Sequence, residues 1–381
     1  MKCIVSEDLV LSRPLEGPLS AYVSAFAASA REQGYALNTQ HRQVLLAACF
    51  SRWLGQKAVS AQRVCTEHLT QFLRSRARHL QIHQGDVASL RQFVEFLRRE
   101  GIIPSEKASP GPLTAIEQEM QAFETYLRNE RALAETTIVH YVSFTRKFLT
   151  DRFGKGRVML SRLSAADVVR FMQRQIPRLH RKDAKQLTTV LRSFLNYARY
   201  RGDITNDLAA AVPCVPAWSM TSIPRAIPAD AVRQLLASID RRTPAGRRDY
   251  AILLLLARLG LRASEVVLLE LDDIDWAAGE LRVRGKGGQQ ATLPLSTEVG
   301  RALVSYLRHG RPRSTSRRVF LRLNAPIRGL LGPVAIASLV AHRLARAGIK
   351  SSSKGAHQFR HALATQMLRH GASLTEIGEV C

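Results

Sequence analysis

The chain has 381 residues, 46% hydrophobic and 23% charged, enough for two or three domains with substantial cores. Its 56 lysines and arginines against 31 acidic residues give a net charge of +25, so a polyanion is the expected partner, nucleic acid first; the sparse aromatic content (6%) does not suit a membrane-surface peptide. Five scattered cysteines (Cys3, Cys49, Cys65, Cys214, Cys381) without paired spacing argue against a disulfide framework or a zinc site and suit a reducing cytoplasm.

At the start, "MKCIVSEDLV" has acidic residues where a signal peptide needs an apolar run. Two proline-bearing passages, Pro104 to Pro112 and Ala209 to Asp230, read as linkers, because proline stops helices and stiffens connectors. They divide the chain into residues 1–108, 112–212 and 223–381. The first two blocks are alike. "LRQFVEFLRREG" from Leu90 matches "LRSFLNYARYRG" from Leu191 at an offset of 101, and "YALNTQ" and "RALAET" open comparable helical stretches at a slightly smaller offset. A duplicated helical module is expected, with apolar residues such as Phe93, Phe96 and Leu97, or Phe194, Tyr197 and Ala198, at helical spacing and arginines on the other faces. Those arginines, Arg192 and Arg199 among them, read equally as a solvated face or as contacts to a phosphate backbone.

The third block mixes helix and strand. "AVRQLLASID", "RRDYAILLLLARLG" and "ASEVVLLELDDI" predict helices, the last with Ser264 placed to cap its first turn. The apolar run Ala251 to Ala257 in the second of these is too short to span a bilayer. "GELRVRGKGGQQATLPLS" predicts a hairpin with Lys286 at its tip. Helices return at "EVGRALVSYLRHG" and from Val334 to Ala347. Two arginine-rich loops, Arg241 to Arg248 and Arg311 to Arg318, read as phosphate-contacting or simply solvated. Arg241, Arg242, Arg247 and Arg248 are the named candidates for DNA contact.

"LARLGLRASEVVLLELDDIDW", "VRGKGGQQATLPL" and "HQFRHALATQMLRHGASLTEIGEV", in this order and at these separations, resemble the catalytic domain of tyrosine recombinases, the phage integrase family. The resemblance covers roughly residues 112–381, because the second module is similar to the family's core-binding domain. It implies a mainly α protein: N-terminal helical core-binding (SAM-like) modules, then an α+β catalytic domain with a small antiparallel sheet. It implies double-stranded DNA as partner, an oligomer on DNA, contacts mostly to backbone, and no cofactor. Carried over residue by residue, Arg262 and Arg360 stand at the two catalytic arginines, Lys286 at the hairpin lysine, His357 at the histidine and His361 at the supporting histidine; Glu265 is a supporting residue.

The residue types suit the chemistry. A phosphodiester under attack by a hydroxyl gains negative charge on its non-bridging oxygens, and fixed guanidinium groups can meet two oxygens at once. Arg262 and Arg360 are therefore expected to clamp the phosphate, with His357 donating a further hydrogen bond, and Lys286 by resemblance to protonate the departing 5′ oxygen. Positions 357, 360 and 361 fall on one helical face. Arg262 alone would also read as an ordinary ion pair to Glu265. The pairs His79 with His83 and His357 with His361 lack a third ligand, so no metal is expected.

The family pattern then calls for a tyrosine nucleophile. The eight tyrosines of the sequence all lie upstream of the "HQFRH" helix, and the sequence stops at Cys381. The expectation is a recombinase truncated before its tyrosine and inactive alone. The alternative is a non-catalytic DNA-binding protein that occupies recombination sites or needs an intact partner.

Overall fold

The computed structural model describes residues 3–6, 9–104, 113–154, 156–214, 226–285, 290–351 and 355–380. Most of the first expected linker (105–112), half of the second (215–225) and Lys286 lie outside the described residues. The chain opens with β1 (Cys3–Ser6) paired antiparallel to β2 (Leu9–Leu11), a hairpin absent from the expected elements. Val5, Leu9 and Leu11 point into the same core as the helices that follow.

Those helices are α1 (Val23–Glu32), α2 (Leu37–Gln56), α3 (Thr66–Ala77) and α4 (Gln84–Arg99), with a 3₁₀ turn at Ala61–Arg63 between α2 and α3. Leu90, Phe93, Val94 and Leu97 recur at helical spacing and are all 2% exposed or less. Phe93 meets Phe26 of α1 at 4.9 Å between ring centroids.

The second block repeats the order: α5 (Ala115–Asn129), α6 (Glu135–Phe153), a 3₁₀ turn at Leu160–Arg162, α7 (Ala165–Gln175) and α8 (Arg181–Tyr200). Two edge-on ring pairs fill its core, Phe123 with Phe194 at 5.2 Å and Phe148 with Phe171 at 5.1 Å. The last helix of each block ends alike. Gly101 (φ +70°) and Gly202 (φ +80°) donate to the carbonyls of Arg98 and Arg199, and the next residues, Ile102 and Asp203, donate to Leu97 and Ala198. Only glycine adopts that left-handed backbone without strain, which is why both repeats end on it.

The third block contains α9 (Ala229–Ala237), α10 (Pro244–Arg258), α11 (Ala263–Leu268), a three-stranded antiparallel sheet β3 (Ile274–Asp275), β4 (Glu280–Arg284) and β5 (Gln290–Pro294), then α12 (Thr297–His309), α13 (Pro333–Arg346), α14 (His357–Arg369) and α15 (Leu374–Val380). The apolar run of α10, Ala251 to Leu256, is wholly buried, so this helix is the axis of the core rather than an amphipathic flank. Among the described residues the fold is mainly helical, and this third block carries the small antiparallel sheet that the resemblance implied; the β1–β2 hairpin is additional to it.

One element differs from expectation. The helix expected over "ASEVVLLELDDI" stops at Leu268, because Leu269 turns extended and its carbonyl accepts from Val319 while Leu271 donates to Arg317. Pairing with a distant strand-like segment ends the helix, which no local pattern announces. Its N-cap is Arg262, not Ser264.

The chain divides into two compact units, residues 1–105 with 222–381, and residues 106–221. Within the first, the Ile327 amide donates to the Gln33 carbonyl at 2.9 Å. Gln33 is itself held by a chain of amides: Gln43 donates to Gln92 and Gln92 to Gln33, which in turn donates to Ser29. No helix among the described residues is long and apolar enough to cross a membrane.

Candidate active site

The site begins where α10 ends. Gly260 has φ +61°, a left-handed turn, and buried Leu261 anchors the chain before Arg262 opens α11. Glu265, 5% exposed, accepts from the Arg262 backbone amide at 2.7 Å and from its guanidinium at 2.8 Å. One carboxylate thus satisfies a helix-start donor and orients the arginine. The ion pair leaves the Arg262 side chain 42% exposed. Guanidinium has five donors and Glu265 takes one, so the pairing leaves room for a second anion.

The start of α14 is built on buried contacts. Phe359 enters the core, and Gln358, 1% exposed, donates to the Gly355 carbonyl at 3.0 Å and accepts from Ser351 at 2.8 Å. This fixes where the helix starts and therefore which way its next residues face. Arg360, 9% exposed, donates to the Gly260 carbonyl at 2.6 Å. The turn that places Arg262 therefore also holds Arg360. A carbonyl turned toward α14 by a left-handed glycine joins two segments 100 residues apart.

His357 and His361 lie edge to face at 4.8 Å, as residues four apart on a helix should. Partial removal from water, then the charges of His361, Arg360 and Arg262, push His357 below the ordinary imidazole value of 6.5. The shift favours the neutral ring, in which one nitrogen donates and the other accepts. Arg262, Arg360, His357 and His361 thus come together, with Glu265 behind them. Gln358 is a positioning residue that sequence reasoning missed; a lone glutamine in a linear pattern gives no sign that it will be buried.

Lys286 falls in residues 286–289, outside those described. The root of its hairpin is clear: β4 and β5 pair from Glu280 with Pro294 to Arg284 with Gln290, and Arg284 bonds Asp273 at 3.1 Å beyond the end of α11.

The other arginines have varied surroundings. Arg248 is tied to Asp249 and the Leu321 carbonyl, and Asp249, 5% exposed, also binds Arg343 of α13, so this trio joins two helices. Arg242 is paired with Asp240, Arg247 donates to the His309 carbonyl, and Arg241 lies over the Tyr250 ring at 4.8 Å. In the second unit Arg192 donates to the Val212 carbonyl at 2.9 Å and Arg199 pairs with Asp207 at 3.3 Å. In the later arginine-rich loop Arg311 bonds the carbonyls of Ser316, Arg318 and Val319, closing the loop on itself. Among the described residues no group of three or more histidine, cysteine, aspartate or glutamate side chains could hold a metal ion.

Comparison with known proteins gives the family and the fold. The family described as the phage integrase family matches residues 225–381. A putative integrase/recombinase, y4rA of Sinorhizobium fredii (strain NBRC 101917 / NGR234), is 53% identical over 380 residues, covering 100% of this chain and 92% of its own. The tyrosine recombinase XerD of Listeria monocytogenes serotype 4b (strain F2365) is 31% identical over 269 residues, 68% of this chain and 88% of that one. In fold, the chain is similar to a lambda integrase (75–356) dimer bound to a COC′ core site, with TM-score 0.54, 15% identity, and coverage of 69% of this chain and 93% of that one.

Proposed function

This chain belongs to the tyrosine recombinase (phage integrase) family, and from that premise we propose that it binds duplex DNA and grips one phosphate of the backbone between Arg262, Arg360 and His357. The observation that supports this reading most is the shared turn at Gly260, which positions Arg262 along the chain and Arg360 through its carbonyl. Two guanidinium groups then face the non-bridging oxygens, and neutral His357 donates a third bond. Lys286, on a hairpin whose root is held beside α11, is the residue assigned to protonate the leaving 5′ oxygen.

The reading extends to the nucleophile: none of the eight tyrosines in residues 1–381 serves as one. Tyr306 is wholly buried and its hydroxyl accepts from the Leu321 amide; Tyr250 is covered by Arg241. Tyr22 and Tyr35 belong to the first helical block, and Tyr126, Tyr141, Tyr197 and Tyr200 to the second. Residues 1–381 therefore supply binding and charge stabilisation, and strand cleavage requires a hydroxyl from outside them, for which an intact relative on the same DNA is one proposed source. Oligomer formation on DNA is proposed on the same ground, the similar lambda integrase being a dimer on its core site. The two four-helix blocks are proposed as copies of one DNA-contacting module.

The test is a gel shift run beside a denaturing gel, with nicked duplexes carrying candidate recombination sites. The expected result is a salt-sensitive complex, weakened in R262Q/R360Q, without a covalent adduct. An intact relative whose own arginines are disabled should restore cleavage when mixed in. An adduct formed by this chain alone would overturn the nucleophile-free reading, and absence of a shift at all salt concentrations would overturn DNA binding.

A further inference from the structure

Along the flank of α10 where α12 packs lies a cavity of about 380 Å³, lined by none of Arg262, His357 or Arg360. Its size is that of a site for a small ligand. On α12, Thr297, Arg301 and Ser305 recur every four residues and so present one face to it. On the other side stand Arg247 and Tyr250 of α10 and, ahead of that helix, Arg241.

The charge of this cavity is largely uncompensated. Several guanidinium groups of the block are neutralised, Arg242 by Asp240, Arg258 by Glu298, Arg284 by Asp273 and Arg343 by Asp249, but those that line this cavity are not. Arg241 and Arg301 have no carboxylate partner among the described residues, and Arg247 has only the His309 carbonyl. The carboxylate on the wall, Glu298, is taken by Arg258 at 2.9 Å. Stacking on Tyr250 holds the Arg241 plane in place while leaving its edge donors open. Three uncompensated guanidinium groups converging with two hydroxyls match the oxygens of a phosphate ester, which guanidinium binds with paired hydrogen bonds. The volume leaves room for a sugar and base beside that phosphate.

We propose that this cavity is a second anion site that takes the phosphate of a nucleotide, either free in solution or within a DNA strand lying apart from the clamp. The site does not depend on the clamp's assignment, and the experiment separates the two. The full chain, R241Q/R301Q and R262Q/R360Q are titrated calorimetrically with adenosine 5′-monophosphate and with adenosine, and each is assayed for binding to a short duplex across a salt series. Thermal melts check that both variants fold; Arg241, Arg301 and Arg262 are exposed or half-exposed, and because Arg360 is buried against the Gly260 carbonyl, R262Q alone serves as the clamp control if R262Q/R360Q melts early.

For a free nucleotide, the phosphate ester binds the parent chain, adenosine does not, and R241Q/R301Q weakens binding about tenfold or more while R262Q/R360Q leaves it unchanged. R301K then recovers part of the affinity. For a DNA strand, the mononucleotide gives no heat, and the salt dependence of duplex binding falls by about two phosphates in R241Q/R301Q. Nucleotide binding that survives R241Q/R301Q, or that vanishes only with the clamp variant, overturns the proposal. So does a double variant that matches the parent with both probes.

Discussion

The turn between α1 and α2 and the turn between α5 and α6 occupy the same place in two blocks of the same element order, yet one is in contact with the third block and the other belongs to a separate unit. Both turns contain a residue with positive φ, Gly34 at +77° in the first and Ala132 at +45° in the second. A Cβ on Gly34 would lie 2.6 Å from Cγ1 of Ile327, closer than any real contact, beside the bond from the Ile327 amide to the Gln33 carbonyl. The helices of the two blocks are built alike. One difference between them is that the first turn leaves a bare backbone for a neighbour to approach.

The most forceful way to test this is through the matched phenylalanines, both wholly buried. Phe93→Ala and Phe194→Ala should each cost about 3–5 kcal/mol. In calorimetry F93A should lower the transition of the unit that includes the clamp, and F194A the other. A common shift in both variants would show that the units do not unfold separately.

Gly34→Ala should cost about 1–2 kcal/mol from the left-handed backbone alone, and the added methyl would also push Ile327 away from the turn. Hydrogen exchange should show the Ile327 amide exposed. The mirror change Ala132→Gly relieves backbone strain and should shift stability by less than about 1 kcal/mol. Retained protection at Ile327 in G34A would mean that the turn does not govern the approach of this segment.

The starts of α3 and α7 give a subtler contrast. Ser164 and Asp167 cap α7 with hydroxyl and carboxylate, whereas Cys65 and His68 make the same reciprocal contact at the start of α3. Ser164→Ala should cost about 1 kcal/mol. Burial would raise Asp167, but bonds from Ser164 and Arg152 outweigh it and hold this carboxyl below its ordinary 3.8. The stabilisation is thus complete above 3.8 and is lost as pH falls through the lower folded value, so S164A and the parent should converge in strong acid. Denaturant melts as a function of pH would show it; a difference that persists unchanged would remove the carboxylate from the explanation.

The smallest effect belongs to the clamp. His357 is depressed in the folded protein, so its contribution to stability is full above 6.5 and falls away in more acidic solution. In R262Q its NMR titration should move up toward 6.5, and in G34A it should not move. A shift in G34A would mean that the first block acts on the clamp through their shared unit.

Much of this was legible in the linear chain. The glycine endings of α4 and α8, the apolar periodicity of Phe93 and Phe194, the hairpin and the cluster of His357, Arg360 and His361 all rest on interactions within a few residues, which spacing reports directly. The early end of α11 was not legible, because Leu269 and Leu271 pair with Val319 and Arg317, far along the chain. Nor was the burial of Gln358, or the placement of Arg241 and Arg301 around one cavity without a carboxylate partner among the described residues.

By itself, the sequence determined which residue types could meet a phosphate and on which helices they would stand, since local backbone geometry decides both. Only the tertiary structure decided that Arg360 reaches the Gly260 carbonyl, that Glu265 holds Arg262 from behind, and that a glycine turn lets the first block touch Ile327. Those interactions join segments remote along the chain, and their energies depend on distances that a linear pattern does not contain.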